Sequence, residues 1–136
     1  MQDLPTSTLR VTAEVITTYA ELTQDFNPLH LDPAFAATTP MKAVIAHGTL
    51  SINLIWQSVA AAFGETALEC ADLRIRFLRP VGIGETLVAG GSRSSESADR
   101  YDVWVRGSDD GDRLAGTVTI HSPQEGERPP STAPGA

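Results

Sequence analysis

The sequence predicts an α+β domain in which an antiparallel sheet wraps around one apolar helix. Residues 49–63 place apolar side chains on nearly every side of a helix, so other structure must cover this segment. From about residue 68 onward, apolar and polar residues instead alternate with the two-residue period of strands. A sheet of four or five such strands offers the large apolar face that the helix needs, so the two must pack together.

The chain divides into one folded domain and a short tail. Its 136 residues fall within the roughly 100–200 residues typical of a single domain, and we assign residues 1–121 to that domain. Residues 122–136 are rich in proline, glycine and serine and have little apolar surface to bury, which predicts a disordered tail.

Composition narrows the classes of function. Hydrophobic residues make up 41% and charged residues 20% of the chain, as in a water-soluble globular protein. The N-terminus lacks a basic-then-apolar leader, no apolar run approaches the roughly 18 residues of a membrane span, and the lone Cys70 has no internal disulfide partner. These features predict a cytoplasmic protein. The net charge of -7 disfavours a nucleic-acid surface, which needs clustered Lys and Arg.

The first predicted elements lead the chain to residue 25. A weak extended segment at residues 9–12 precedes a helix at residues 14–23, which Thr12 is placed to cap. One face of this helix is apolar, and we interpret it as packing surface. The face consists of Val15, Ile16, Tyr19 and Leu22.

Residues 23–48 contain two of the three histidines and show little regular periodicity. Within this segment Pro28 interrupts a helix and restricts Asn27 to extended geometry, so Asp25 and His30 are predicted to lie on a loop. A loop of fixed shape can direct a carboxylate and an imidazole toward one point, and that point can hold a water. Two structural interpretations remain open: Asp25 as a cap on the Asn27 N–H, and His30 as a buried, hydrogen-bonded histidine.

The second part of this segment leads into the apolar helix. Asp32 and Pro33 carry the signature of a helix start, so a short helix should stiffen the chain behind His30. His47 and Gly48 come directly before the apolar helix, whose first N–H groups attract developing negative charge. A carboxylate, an imidazole and such a helix end together suit proton transfer beside a carbonyl group. His47 also has a simpler interpretation, a hydrogen bond to nearby backbone.

Polar residues near the start of the apolar helix need hydrogen-bond partners if they are buried. We interpret Ser51 as bonded to the preceding helical turn. Asn53 has two interpretations of equal standing, a residue that lines the site and a hydrogen-bonded core residue. Gly64 is a natural end for this helix.

Four strands are predicted after the helix, and they make the sheet antiparallel. The second strand contains Gly90 and Gly91, which predict a bulge. A turn at residues 109–112 joins the third and fourth strands as a hairpin. The four strands cover residues 72–77, 85–95, 101–106 and 114–121.

The segment DFNPLHLDPAFAATT, followed at short range by AHG, resembles the (R)-specific enoyl-CoA hydratases of the MaoC-like family. The later segment RFLRPVGIGETL also resembles a pattern of this family, and the similarity runs from about residue 9 to residue 121. The resemblance implies a single hot-dog fold and assigns Asp25 and His30 as the catalytic pair. The residues that we expect to bind substrate are Asn27, His47, Gly48, Thr49 and Asn53.

The resemblance implies reversible hydration of trans-2-enoyl-CoA to (R)-3-hydroxyacyl-CoA, with one water held by the Asp/His pair. It implies no metal and no redox cofactor, since coenzyme A is part of the substrate, and it places the acyl-CoA tunnel at the interface of a homodimer. Coenzyme A is polyanionic, and Arg74, Arg76 and Arg79 supply a candidate basic patch. Two departures leave acyl-chain preference open: Asn53 stands where the polyhydroxyalkanoate-type hydratases carry a serine, and residues 41–46 lack their Arg-Pro pair.

Three other functions remain compatible with the sequence. A hot-dog thioesterase would direct water to the thioester carbonyl. A dehydratase of carrier-protein thioesters would use the same pair and would need a basic docking surface. A non-catalytic subunit would need a paralogous hot-dog partner, as occurs among MaoC-like steroid-side-chain hydratases.

Overall fold

The computed structural model describes residues 3–121, so the predicted tail at residues 122–136 lies outside the described part of the chain. The strands are β1 (Leu4–Arg10), β2 (Ala71–Phe77), β3 (Thr86–Arg93), β4 (Arg100–Arg106) and β5 (Asp112–Ile120). The helices are α1 (Ala13–Thr23), α2 (Pro28–Leu31), α3 (Pro33–Ala36) and α4 (Gly48–Phe63), followed by a 3-10 helix at Glu65–Cys70. None of the helices within residues 3–121 has both the length and the apolar content needed to cross a bilayer.

The five strands form one antiparallel sheet in the order β1-β3-β4-β5-β2, which confirms the predicted α+β, hot-dog architecture. Helix α4 packs against β1, β3 and β4. Ile55 and Val59 of the helix and Leu87, Val105 and Leu114 of the sheet are at most 1% exposed. Removing such side chains from water stabilises the fold by roughly 25 cal/mol per Å² of apolar surface. The core therefore lies between the helix and one face of the sheet.

The N-terminal elements follow the prediction with one difference in length. Helix α1 begins directly after Thr12, whose hydroxyl accepts a hydrogen bond from the Val15 N–H at 3.0 Å. The strand before it is longer than predicted because β1 already starts at Leu4. Pairing with β3 explains the extra length, since ladder hydrogen bonds stabilise residues whose own sequence pattern is weak.

The prediction that α4 is buried on all sides is wrong. Asn53 and Gln57 are exposed, Trp56 is half-buried, and Phe63 at the end of the helix keeps 43% of its surface in solvent. A single sheet covers only one side of a helix. The apolar residues on the other side of α4 therefore need cover that the described chain does not supply by itself.

The predicted irregularity at Gly90 and Gly91 lies on one side of β3: its pairing with β1 shifts register between Leu4 and Ser7, opposite Gly91 and Ala89, whereas its pairing with β4 is continuous. Both glycines also allow a close approach of neighbouring atoms. A Cβ at Gly90 would lie 2.7 Å from the ring of Trp104, and one at Gly91 would lie 2.8 Å from the backbone oxygen of Asp102. Packing across the sheet therefore explains why these positions have no side chain.

A buried ion-pair cluster joins the β2–β3 and β4–β5 connections. The side chain of Arg113 is 8% exposed, and its Nη2 and Nε donate to Glu85 Oε1 at 2.7 and 3.1 Å. Its Nη1 donates to the Gly111 carbonyl at 2.9 Å and lies 3.0 Å from Asp109 Oδ1. Glu85 Oε2 accepts the Gly82 N–H at 2.7 Å. Both charges are thus compensated, which is the condition under which a buried ion pair is tolerated.

We expect Asp109 to make stability depend on pH in the acid range. The Gly111 N–H, and next the Arg113 guanidinium, lower the pKa of Asp109 from 3.8 to about 2. Because folding lowers this pKa, ionised Asp109 stabilises the fold above about pH 4, and this contribution is lost as the pH falls toward about 2. Urea unfolding midpoints should therefore fall less steeply over this range for Asp109→Asn than for the parent protein. Parallel pH curves for the two proteins would contradict the expectation.

Candidate active site

The segment between α1 and α4 has a different backbone from the predicted loop. Pro28 does not exclude a helix here, because it occupies the first position of α2, where its missing N–H is not needed. Asn27 caps this helix: its Oδ1 accepts the Leu29 N–H at 3.0 Å, and its φ of -55° and ψ of 129° are the extended geometry that proline requires. His30 therefore lies on a one-turn helix, while Asp25 stays on the connection before it.

The imidazole of His30 is fixed in orientation and in tautomer. Its Nδ1 lies 2.7 Å from the carbonyl oxygen of Ile45, which belongs to the segment that precedes α4. A carbonyl oxygen only accepts hydrogen bonds, so Nδ1 carries a proton and Nε2 of the neutral ring keeps its lone pair. The half-buried ring therefore presents a basic nitrogen in a fixed direction.

His47 supports both catalytic candidates. It is 3% exposed, and its Nε2 donates to the backbone carbonyl of Asp25 at 3.1 Å. His47 therefore bonds backbone, as its simpler interpretation has it, but this backbone lies 22 residues earlier in the sequence. Its ring stacks on that of His30 with 3.9 Å between centroids. The ring of Tyr19 meets it edge-on at 5.1 Å. His47 thus ties the backbone of Asp25 to the ring of His30.

The carboxylate of Asp25 is exposed and lies close to both imidazoles. One oxygen accepts the Asn27 N–H at 3.3 Å, the capping contact considered from the sequence, and this long bond leaves most of the carboxylate available. A carboxylate oxygen of Asp25 and one ring nitrogen each of His30 and His47 all lie within 4.8 Å of one another. Two groups that share one water are about 4.5 Å apart when each hydrogen bond is about 2.8 Å long. The geometry therefore suits a water held between Asp25 and His30.

The same three side chains are ligand types that bind transition metals. Their orientation is unfavourable for a shared ion, because the rings of His30 and His47 are stacked with 26° between their planes, so their in-plane lone pairs run side by side instead of converging. His30 Nδ1 and His47 Nε2 are in addition engaged with carbonyl oxygens. The arrangement favours a positioned water over a bound cation.

A cavity of about 390 Å³ opens beside His30 and reaches the start of α4, and Asp25 is not among the residues that line it. His30, His47 and Gly48 line it at this end. Gly48 is the first residue of the helix, so its N–H is one of the donors that a helix leaves unpaired at its positive end. A Cβ there would lie 3.0 Å from the ring of Phe77, so a larger residue at this position would require that ring to move. The other apolar lining includes Met41, Ile45, Leu78 and Val81.

Three of the predicted substrate residues lie outside this cavity. Asn27 is exposed and serves as the cap of α2. The hydroxyl of Tyr19 donates to Thr49 Oγ1 at 2.7 Å and accepts from Asn53 Nδ2 at 3.0 Å. Tyr19 and Asn53 line a neighbouring groove of about 360 Å³ between α1, β1 and α4. The sequence pattern assigns Tyr19 to the packing surface of α1. Its hydroxyl is the only polar group on that apolar face, and this was the signal that Tyr19 could form hydrogen bonds near the site.

One arginine of the predicted basic patch reaches the cavity. Arg79 lines the cavity and lies 3.4 Å from Asp109, with both side chains about half exposed. Arg74 and Arg76 are exposed on β2, where they alternate with Leu73 and Ile75, which are half-buried against the core. Of the three, Arg79 is therefore the arginine placed to meet an anionic group at the cavity.

Comparison with known proteins identifies a family and a curated relative. A family model described as MaoC like domain matches residues 2–114. An (R)-specific enoyl-CoA hydratase of Aeromonas caviae is 36% identical over 80 residues, which cover 59% of this chain and 60% of that relative. The match therefore spans less than two thirds of the relative's length.

Two solved structures share the fold. R-Hydratase PhaJ1 from Pseudomonas aeruginosa, in its unliganded form, has a TM-score of 0.74 and 28% identity, with 91% of this chain and 81% of that chain covered. The (R)-hydratase from A. caviae involved in PHA biosynthesis has a TM-score of 0.73 and 26% identity, with 88% of this chain and 95% of that chain covered. Both support the hot-dog architecture described above.

Proposed function

Because this chain belongs to the MaoC-like domain family, we propose that it is a hydro-lyase that converts trans-2-enoyl-CoA to (R)-3-hydroxyacyl-CoA and back. The observation that carries the proposal is that a carboxylate oxygen of Asp25 and a ring nitrogen of His30 lie within 4.8 Å of each other, while His30 lines a cavity that reaches a helix N-terminus at Gly48. The A. caviae relative, named an (R)-specific enoyl-CoA hydratase, supports the same reaction.

In the proposed reaction one water lies between Asp25 and His30. His30 Nε2 accepts a proton from this water, because its Nδ1–H is already engaged with the Ile45 carbonyl. The water oxygen forms a bond to C3, and the pair returns a proton to C2 on the same face, so the elements of water add across the double bond. Both side chains hold the same water and therefore act as a unit.

The thioester carbonyl lies at the start of α4 in this proposal. Attack at C3 moves electron density onto the carbonyl oxygen, which becomes enolate-like. The Gly48 N–H and the positive end of the helix stabilise that charge. The apolar wall receives the uncharged part of the substrate, and Arg79 is placed for a phosphate of coenzyme A. Acid, base and donors are all supplied by the chain, so the proposed reaction needs no metal and no redox cofactor.

A second copy of the chain completes the site in the same proposal. Strand β2 lies at an edge of the sheet, and within residues 3–121 its outer side has no neighbouring strand. Phe77, Leu78 and Ile83 are 45 to 58% exposed. Joining two sheets edge to edge pairs the free backbone groups of β2 and covers these apolar side chains. We therefore propose a homodimer.

Purified protein should consume crotonyl-CoA, which is followed as loss of absorbance of the conjugated thioester. Chiral chromatography should identify the product as the (R)-3-hydroxyacyl thioester, and light scattering should give a dimer for the active species. Longer enoyl-CoAs in the same assay measure acyl-chain preference. An (S) product, or no consumption of any enoyl-CoA, would overturn the proposed function.

The same preparation separates the other candidate functions. Release of free thiol from a saturated acyl-CoA would indicate a thioesterase. A strong preference for carrier-protein thioesters, weakened by salt, would indicate a carrier-protein dehydratase. Inactivity of the pure protein that a paralogous hot-dog chain restores would indicate a subunit of a heteromeric enzyme.

A further inference from the structure

Ser51 is a buried polar residue that neither the fold nor the proposed catalytic pair uses. It is 4% exposed, yet it lines the cavity together with His30, His47 and Gly48. The sequence predicted a hydrogen bond from its hydroxyl to the preceding helical turn. Within residues 3–121 no such hydrogen bond is formed, and Ser51 Oγ is not among the enclosed polar atoms without a partner, which are His47 Nδ1 and Arg93 Nε. The hydroxyl is therefore open to the cavity that Ser51 lines, where it can meet a bound molecule.

Ser58 shows what a structural serine on the same helix looks like. It is 1% exposed, and its Oγ lies 2.9 Å from the Oγ of Ser7 on β1. The two serines have nearly the same burial and the same helix around them. They differ in that Ser58 is bonded within the fold, whereas Ser51 faces the cavity.

The position of Ser51 on α4 places it next to the helix start. Residues three apart share one face of a helix, and Cα–Cβ bonds lean toward the N-terminus, so Ser51 stands over the turn that begins at Gly48. The Gly48 N–H and the Ser51 O–H are therefore two donors at one end of the cavity.

We propose that the Ser51 hydroxyl donates a hydrogen bond to the thioester carbonyl oxygen of the substrate, beside the Gly48 N–H. This assignment rests on the proposed hydratase function and adds a side-chain donor to that site. The oxygen carries more negative charge in the enolate-like state than in the bound substrate. The hydrogen bond therefore stabilises the transition state more than it tightens binding. Ser51 keeps its proton throughout.

Ser51→Ala tests the assignment, with Ser58→Ala as its matched control. Ser51→Ala should lower kcat for crotonyl-CoA by about tenfold or more, with a smaller change in KM and with Tm unchanged or raised. Ser58→Ala should instead lower Tm by about 3 °C through loss of its bond to Ser7 and should keep the parent kcat. In bound butyryl-CoA labelled at the carbonyl carbon, the C=O stretch should rise in frequency in Ser51→Ala only.

Each result decides the assignment. A parent-like kcat in Ser51→Ala, a fall in its Tm as large as that in Ser58→Ala, or an unshifted carbonyl stretch would overturn the role of Ser51 while leaving the hydratase function in place. Failure of the parent protein to hydrate any enoyl-CoA would instead overturn the proposed function, and the assignment of Ser51 with it.

Discussion

Asp25→Asn should lower kcat for enoyl-CoA hydration by about a thousandfold and leave stability intact. The amide keeps an oxygen for the Asn27 N–H, and the side chain is exposed, so the substitution removes little besides the charge and basicity of the carboxylate. In the proposed reaction, the shared water then loses one of the two groups that orient it and move its proton. Hydration kinetics with crotonyl-CoA and thermal unfolding of the same preparation measure both effects.

Asp32→Asn is the control for this substitution. Asp32 lies in the same segment, and its Oδ1 accepts the N–H groups of Ala34 and Phe35 at 3.0 and 3.2 Å as the cap of α3. Asparagine caps a helix about as well as aspartate, so this variant should keep the parent kcat and Tm. Equal losses of activity in both variants would mean that negative charge in this segment, rather than Asp25 itself, supports catalysis.

His30→Asn tests the other half of the pair. Asparagine can place its Nδ2 where the imidazole has Nδ1 and so can keep the donor to the Ile45 carbonyl, but it has no group at the position of Nε2. We expect a loss of kcat similar to that of Asp25→Asn. The double variant should be little worse than either single one, because groups that act on one water are not additive. Fully additive losses would contradict a shared water.

Local sequence signals predicted the frame that holds this site. Thr12, Asp32 and Gly64 mark helix ends that the structure confirms, because a cap depends on a few atoms close in sequence. From residue 72 onward, apolar and polar residues alternate along the strands, and this alternation directly indicates which residues face the core and which face solvent. The proximity of Asp25 and His30 was predicted from their short separation, and the structure brings their ligand atoms within 4.8 Å.

The predictions that failed depend on contacts between segments distant in sequence. The hydroxyl of Tyr19 reaches Thr49, 30 residues further on, and hydrophobic spacing carries no information about such a bond. The hydroxyl of Ser51 faces a cavity whose walls come from the β2–β3 connection and residues 41–46. The sequence of α4 alone does not reveal that cavity.

Glu85→Ala should cause the largest loss of stability, about 3 kcal/mol, because it leaves the buried guanidinium of Arg113 without its main partner. In a domain of this size that loss lowers Tm by roughly 10 °C. The substitution also removes the acceptor that holds the Gly82 N–H, so the β2–β3 connection loses its tie to β5. Urea and thermal unfolding of the parent protein and the variant measure the change.

A second substitution tests the reason for this loss. If the uncompensated charge of Arg113 causes it, then removing that charge should restore stability, whereas a loss of packing would not be restored. Replacing Arg113 by methionine in the Glu85→Ala background removes the uncompensated charge, so the double variant should recover part of the lost stability. Glu96→Ala is the exposed counterpart: Glu96 is 81% exposed and lies 3.7 Å from Arg100, so its loss should change stability by less than about 0.5 kcal/mol. A double variant less stable than Glu85→Ala alone would contradict this reason. The Arg113 side chain would then stabilise the fold mainly through its packing and its hydrogen bond to the β4–β5 turn. The compensation of its charge by Glu85 would be secondary.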